Sequence, residues 1–309
     1  KLSGNISRAM KILLHVGPHK TGTTSLQVFL SQNRTALREQ GVLLPEIQGL
    51  DGSPNNWYLL YIGFATAERA AAYHNSIRGN HDAKACEALR QRYTGELRQS
   101  LEQARALEQA SARPIAYVLS SEELAFLDNQ EMNQFYDLLL EYADQVKVVY
   151  YYRSPLSRLR SDIQQSCKGG MVIQQTLLRS VGLQDLPRLR KLLPQRAHDG
   201  QVQLIVQAYR RDLPQSRSWD IREDFCQLLG ADITSLQSEA DDPGANQSIS
   251  LQMFSILQDV NRLMPASQGP NRQFNRFRRY WHHAVEAYRW TKADTPFRLS
   301  QLDFSELRK

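Results

Sequence analysis

The chain has 309 residues, of which 41% are hydrophobic and 23% charged, so it can bury the core of one large α/β domain or of two small ones. Its 38 basic residues exceed its 32 acidic ones, a formal charge of +6 that suits an anionic ligand without indicating a nucleic-acid binder. Three widely spaced cysteines argue against a zinc knuckle, a redox CxxC pair and a disulfide framework, and they favour a reducing compartment.

Apolar runs alternate with helical patterns from residue 11 onward, whereas residues 1–10 read as an N-terminal tail or a remnant of expression. Buried strands are expected at the apolar runs 11–16, 41–45, 114–120, 146–154 and 201–209. Helices are expected between the first two runs, across 57–110, from Glu122, from about Leu156, over 219–230 and over 246–263.

This alternation predicts an α/β fold, a central parallel β-sheet flanked by helices. We expect a single domain over residues 11–309, in which the basic residues 264–309 form a C-terminal extension or lid. No run of 18 apolar residues is present, so no stable membrane insertion is expected. Ligands of such sheets bind beyond the carboxyl ends of the strands, where the segments after Val16, Leu119 and Tyr152 are expected to meet.

The first of these segments is a glycine-containing loop between a strand and a helix, a local structure that binds anions through backbone N–H groups and the helix dipole. Gly17 and Gly22 bracket four residues, as in the loop that binds nucleoside triphosphates. That loop needs a lysine directly after the second glycine, where this chain has Thr23, and Lys20 lies two residues before Gly22 instead. The shift argues against cradling a triphosphate, and no Walker-type Asp supports magnesium coordination.

The segment PHKTGTTS resembles the 5′-phosphosulfate loop of sulfotransferases that use 3′-phosphoadenosine 5′-phosphosulfate (PAPS), and the longer wording HKTGTTSLQ is similar to members that act on carbohydrates. The resemblance implies a P-loop-like sulfotransferase fold that binds PAPS, releases 3′-phosphoadenosine 5′-phosphate (PAP) and needs no metal. It also implies that Lys20 is catalytic, stabilising the leaving bridging oxygen. The loop residues expected to bind the cofactor are His19, Lys20, Thr21, Gly22, Thr23, Thr24 and Ser25.

A second motif follows the most β-branched and aromatic run of the chain. The family places an Arg at the end of a strand and a Ser eight residues later, and both hold the 3′-phosphate. Arg153 and Ser161 stand at that spacing. A guanidinium is a planar, two-pronged donor to phosphate, which suits this role. The resemblance covers about residues 11–263.

The general base should be a carboxylate or a histidine in the same crevice. Glu122, just after the third expected strand, is the first choice, and Glu123 the second. Glu46, after the second expected strand, is the rival, because related enzymes place a glutamate there. His19 is expected to shape the loop or contact the sulfate.

The expected acceptor is a hydroxyl of a carbohydrate or glycolipid, with no nucleic acid as partner and an undetermined oligomeric state. The bacterial type of resemblance implies a cytoplasmic location, or the Golgi lumen if a membrane anchor has been removed. Two other functions stay open: an ATP-dependent phosphotransferase of the P-loop class, and a non-catalytic protein that binds a nucleotide or a glycan on the same fold.

Overall fold

A computed structural model describes most of the chain up to residue 237 and a few positions beyond it. The described residues are 10–48, 57–77, 83–111, 113–168, 185–192, 200–210, 219–237, 254, 257–259 and 261. The contacts divide the chain into two compact units, Lys1–Arg153 with Asp185–Glu239, and Ser154–Gln184 with Ala240–Lys309. The prediction of a single domain over 11–309 stays a prediction, because most of the second unit, including 264–309, lies outside the described residues.

The first unit contains a parallel sheet of five strands in the described part of the chain. The strands are β1 (Lys11–His15), β2 (Val42–Leu43), β3 (Ala116–Ser120), β4 (Gln145–Tyr152) and β5 (Val202–Ala208). Their order is β2-β3-β1-β4-β5, with every neighbouring pair parallel. The predicted fold class, an α/β fold around a central parallel sheet, is therefore confirmed, and the loop after β1 leaves the middle of the sheet.

Helices cover both faces of the sheet, because successive side chains of a strand point to opposite faces. Ile12 and Leu14 enter one core together with Leu97 and Phe135 from helices of one layer. Leu13 enters the other core, with the helical residues Leu26, Phe29 and Phe225. The strands read as continuous apolar runs because both of their faces are buried.

The helices of the first unit are α1 (Thr23–Gln32), α2 (Arg34–Glu39), α3 (Leu59–Phe64), α4 (Ala67–Ile77), α5 (Ala83–Ala110), α6 (Asn129–Leu140), α8 (Asp185–Leu192) and α9 (Ile221–Leu229), whereas α7 (Pro155–Lys168) belongs to the second unit. Most helices of the first unit lie within the expected helical stretches, but α8 is not predicted from the sequence and α6 begins later than expected.

Two local expectations need correction. The helix expected from Glu122 is a short 3₁₀ helix, Glu122–Phe126, and the α-helix begins only at Asn129. There Asp128 accepts from the Glu131 N–H while the Glu131 carboxylate accepts from the Asp128 N–H, a capping box that fixes the later start. The helix expected after the first loop is interrupted at Asn33, whose side chain donates to the carbonyls of Phe29 and Gln237.

The second unit contains helix α7 (Pro155–Lys168), close to the helix expected from Leu156. Within this unit the Cys167 side chain packs against Gln258 and Asn261, which are helical residues of the expected 246–263 helix. Most of that helix lies outside the described residues. All three cysteines are buried and form no disulfide. Among the described helices, none has the length and apolar content that crossing a bilayer requires.

Candidate active site

The loop between β1 and α1 turns sharply through two left-handed residues. The Val16 N–H donates to the Val149 carbonyl at 2.9 Å, which fixes the start of the loop on strand β4. Gly22 has φ 80°, and Lys20 has φ 71°, a value that residues with a side chain rarely adopt. The Thr21 hydroxyl donates to the Pro18 carbonyl at 2.8 Å and closes the turn. Such outliers concentrate at functional sites.

The loop opens onto a helix terminus that suits an anion. Helix α1 begins after Gly22 with no side-chain cap and no acidic residue in its first turn, so the positive end of its dipole is not neutralised there. The Thr23 hydroxyl is buried at this terminus, beside the Glu122 carboxylate. A Cβ on Gly17 would lie 3.1 Å from three polar atoms, His15 Nε2, Thr21 Oγ1 and Thr23 Oγ1. Glycine is needed there because any side chain would fill this polar cradle.

His15 is a neutral member of the same cluster. Its Nδ1 lies 2.9 Å from the Ser120 hydroxyl, which also accepts from the Gln27 amide at 3.3 Å. Burial lowers the pKa of His15 to about 4, and the nearby charge of Glu122 only partly opposes this. Its buried Nε2 has no hydrogen-bond partner among the described residues. The sequence suggested only a strand residue at this position.

Arg153 lies at the end of β4 and reaches the Lys20 turn, as its place after the strand predicts. Its Nη1 donates to the Lys20 carbonyl at 2.5 Å. The guanidinium carbon also lies 5.0 Å from the centre of the Tyr209 ring, a cation–π arrangement. Tyr209 follows β5, and its N–H donates to the Tyr152 carbonyl at 2.8 Å. Sequence reasoning missed Tyr209, although its place after a parallel strand is the signal that identified Arg153.

Glu122 lies directly against the loop. Its Oε1 is 2.6 Å from His19 Nδ1, and its side chain is only 20% exposed. Burial acts to raise the pKa of Glu122, but the hydrogen bond and charge of His19, together with Thr23 and Lys20, outweigh it and lower the pKa below its ordinary value. Glu122 is therefore an ionised carboxylate beside Lys20.

Glu123 is held differently from its neighbour. Tyr73 donates to its Oε1 at 3.0 Å, and the Ser121 hydroxyl donates to its Oε2 at 2.9 Å. Burial and the charge of Glu122 raise its pKa. With both oxygens engaged, Glu123 is poorly suited to accept a proton from a ligand.

Glu46, the rival base, contacts other residues. Its exposed carboxylate lies 3.5 Å from Arg38 Nη1, and its N–H donates to the Ser100 hydroxyl at 2.9 Å. It lines an open groove of about 420 Å³ with Leu43, Leu107 and Tyr117. Of Glu122 and Glu46, Glu122 is the one with a described contact to the loop. A catalytic role for Glu46 stays a prediction.

The remaining predicted residues are placed as follows. Thr24 is exposed and Ser25 half-buried in the first turn of α1. Ser161 is half-buried in α7, which belongs to the second unit, so its part in a 3′-phosphate site stays a prediction. In the described ranges, no group of three or more His, Cys, Asp or Glu side chains is arranged to hold a metal ion.

Comparisons with known proteins give a distant likeness. No family model matches the chain, and no curated protein matches it. Among solved structures, the chain is similar to one described as "Sulfotransferase Domain from the Curacin Biosynthetic Pathway", at 13% sequence identity and a TM-score of 0.38, over 93% of this chain and 99% of that one.

Proposed function

We propose that the chain is a sulfotransferase that transfers the sulfuryl group of PAPS to a hydroxyl of a carbohydrate or glycolipid. The observation that carries this proposal is the meeting of Arg153 with the Lys20 turn at the carboxyl edge of the sheet. One phosphate-binding loop and one arginine thus lie side by side, with an ionised carboxylate next to them. The carbohydrate class of acceptor rests on the resemblance of the loop sequence.

The residues present fit a nucleotide with phosphates at both ends. The cradle at Gly17 and the uncapped start of α1 suit the 5′-phosphosulfate, since both present hydrogen-bonding groups and the first turn of α1 carries no acidic residue. Arg153 suits the 3′-phosphate, because a planar guanidinium can donate two parallel hydrogen bonds to the oxygens of one phosphate. When bound, PAPS supplies an activated sulfuryl group on a phosphate leaving group.

The chain's own groups then have three tasks. Glu122 takes the proton as the O–H bond of the acceptor breaks and the acceptor oxygen forms a bond to sulfur. Lys20 stabilises the charge that collects on the bridging oxygen as the bond between that oxygen and sulfur breaks. The loop N–H groups hold the resulting 5′-phosphate, so donor and acceptor stay in line.

Nucleotide preference tests this proposal directly. We expect calorimetry to show that PAP binds more tightly than ATP and that magnesium does not change its affinity. Equal affinity for PAP and ATP would contradict the proposal, and magnesium-dependent binding of ATP would favour the phosphotransferase. Binding of PAP without release of PAP from PAPS, with glycans or water as acceptor, would favour the non-catalytic binder.

A further inference from the structure

His19 joins the loop to the segment that carries Glu122. Its Nδ1 lies 2.6 Å from Glu122 Oε1, and a carboxylate only accepts, so Nδ1 carries the donated proton. The imidazole ring also packs against Phe126, with ring centres 5.8 Å apart. Phe126 ends the 3₁₀ helix that Glu122 begins. The ring is therefore held by two residues of this helix.

Backbone bonds anchor the segments that carry both partners. The Ser121 N–H, next to Glu122, donates to the His15 carbonyl at the end of β1 at 3.0 Å. On the other side, the Thr21 hydroxyl fixes the Pro18 carbonyl, and the left-handed Lys20 turn follows His19 directly. The backbone on both sides of the His19–Glu122 contact is therefore held by hydrogen bonds.

Several titratable groups surround the Glu122 carboxylate. The titratable groups that face it are His19 and Lys20 from the loop, His15 from β1, and Glu123 beside it, whose hydroxyl partner Tyr73 lies on α4. His15 is neutral at physiological pH because burial lowers its pKa to about 4. The basic groups beside the Glu122 carboxylate are thus His19 and Lys20, and His19 Nδ1 lies 2.6 Å from Oε1 of that carboxylate.

We propose that His19 is the positioning residue of the base, holding Oε1 of Glu122 so that Oε2 is presented to the acceptor hydroxyl. This role rests on the proposed function. In the step, the acceptor O–H bond breaks, an O–H bond forms on Oε2, and the proton passes to solvent after the product leaves. His19 itself does not bind the reacting atoms.

Two substitutions separate this role from simple packing. His19→Asn keeps an N–H at the position of Nδ1, whereas His19→Leu removes it. The titration of Glu122 can be followed by carbon NMR on protein labelled at the glutamate carboxyl, with Glu122→Gln to assign the signal. Since a close charged partner shifts a carboxyl pKa by about 1–3 units, we expect His19→Leu to raise the pKa of Glu122 by about one unit, and His19→Asn to restore most of the hydrogen-bonded part of the shift.

The same variants are compared in PAP release from PAPS, with water as acceptor. We expect His19→Leu to move the acidic limb of the pH profile upward by about one unit, and to lower the rate more than it lowers PAP affinity. The role would be overturned if His19→Leu changed neither the pKa of Glu122 nor the acidic limb of the pH profile. It would also be overturned if His19→Asn behaved like His19→Leu in both measurements. A loss of PAP affinity that parallels the loss of rate would overturn it too, by making His19 a donor ligand. If the wild type neither binds PAP nor releases it from PAPS, the proposed function fails, and the NMR result alone then decides the His19–Glu122 contact.

Discussion

The substitution Gly22→Ala tests whether the loop geometry creates the proposed anion site. Gly22 has φ 80°, a left-handed conformation that costs an alanine about 1–2 kcal/mol. The added Cβ would also lie 3.3 Å from Ile221 Cγ2 and 3.7 Å from Tyr209 Cε2. The first contact is closer than carbon atoms normally pack, so Ile221 or the loop must move, at a cost of about 1 kcal/mol. We expect a total loss of about 2–3 kcal/mol of unfolding free energy.

Gly230→Ala is the matched control, because Gly230 has φ 73° and a Cβ there would meet nothing within 4 Å. It should lose only the conformational part, about 1–2 kcal/mol. Urea unfolding measures both variants, and calorimetry with PAP measures the site. We expect PAP to bind Gly22→Ala about tenfold more weakly, a difference of about 1.4 kcal/mol, and to bind Gly230→Ala as it binds wild type.

The weaker PAP binding is expected because Gly22 is the N-cap residue of α1. Its carbonyl accepts from the Leu26 N–H at 3.0 Å, so moving Gly22 displaces the first-turn N–H groups that are expected to hold the 5′-phosphate. Equal losses of stability in both variants, together with wild-type PAP affinity in Gly22→Ala, would refute this reasoning and place the anion elsewhere.

Three further predictions follow from the same cluster. Arg153→Ala should weaken PAP binding by about 1.5–3 kcal/mol, the range for a charged hydrogen bond, and leave 5′-AMP binding unchanged, with Arg98→Ala on α5 as the control. Calorimetry measures both nucleotides. If Arg153 only stabilised the loop, its loss would weaken the binding of both. Glu122→Gln should keep PAP affinity and reduce turnover by about 10²-fold or more, whereas Glu46→Gln should leave turnover unchanged; the reverse pattern in assays of PAP release would make Glu46 the base. The pKa of His15 falls from 6.5 to about 4 on folding, so the unfolded chain takes up this proton at a higher pH than the folded chain, and the free energy of unfolding should decline as pH falls from 6.5 to 4, by at most about 1.4 kcal/mol per pH unit. In urea unfolding at a series of pH values, His15→Asn should make this decline smaller. An equal decline in the variant would show that other groups cause it.

The sheet could be predicted from the sequence because buried parallel strands are apolar on both faces. All five strands lie within two residues of the expected runs at both ends. β2 is shorter, only Val42–Leu43, because it is an edge strand that pairs with two residues of β3. The start of α6 could also have been predicted, since Asp128 and Glu131 have the spacing of a capping box.

The interruption at Asn33 could not have been predicted in the same way. The Asn33 side chain donates to Gln237, 204 residues further along the chain, and no local pattern reports such a contact. Tertiary hydrogen bonds of this kind override a helical pattern that is continuous in the sequence.

The sequence predicted which segments of the site lie near one another, but not which side chains are in contact. The rule that ligands bind beyond parallel strand ends placed Lys20, Glu122 and Arg153 near one another, and the structure brings them together. The His19–Glu122 pair depends on the left-handed turn at Lys20, a conformation that a lysine does not advertise in sequence. The direct contact between the loop and Glu122 could therefore not be predicted from the sequence.

The central claim is that this edge of the sheet holds both ends of one adenosine nucleotide, and a crystal structure of the PAP complex tests it most directly. We expect the 5′-phosphate within hydrogen-bond distance of the N–H groups from Lys20 to Thr24, and the 3′-phosphate within hydrogen-bond distance of the Arg153 guanidinium. PAP bound with Arg153 still on the Lys20 carbonyl and no phosphate beside it, or with the loop empty, would contradict the claim.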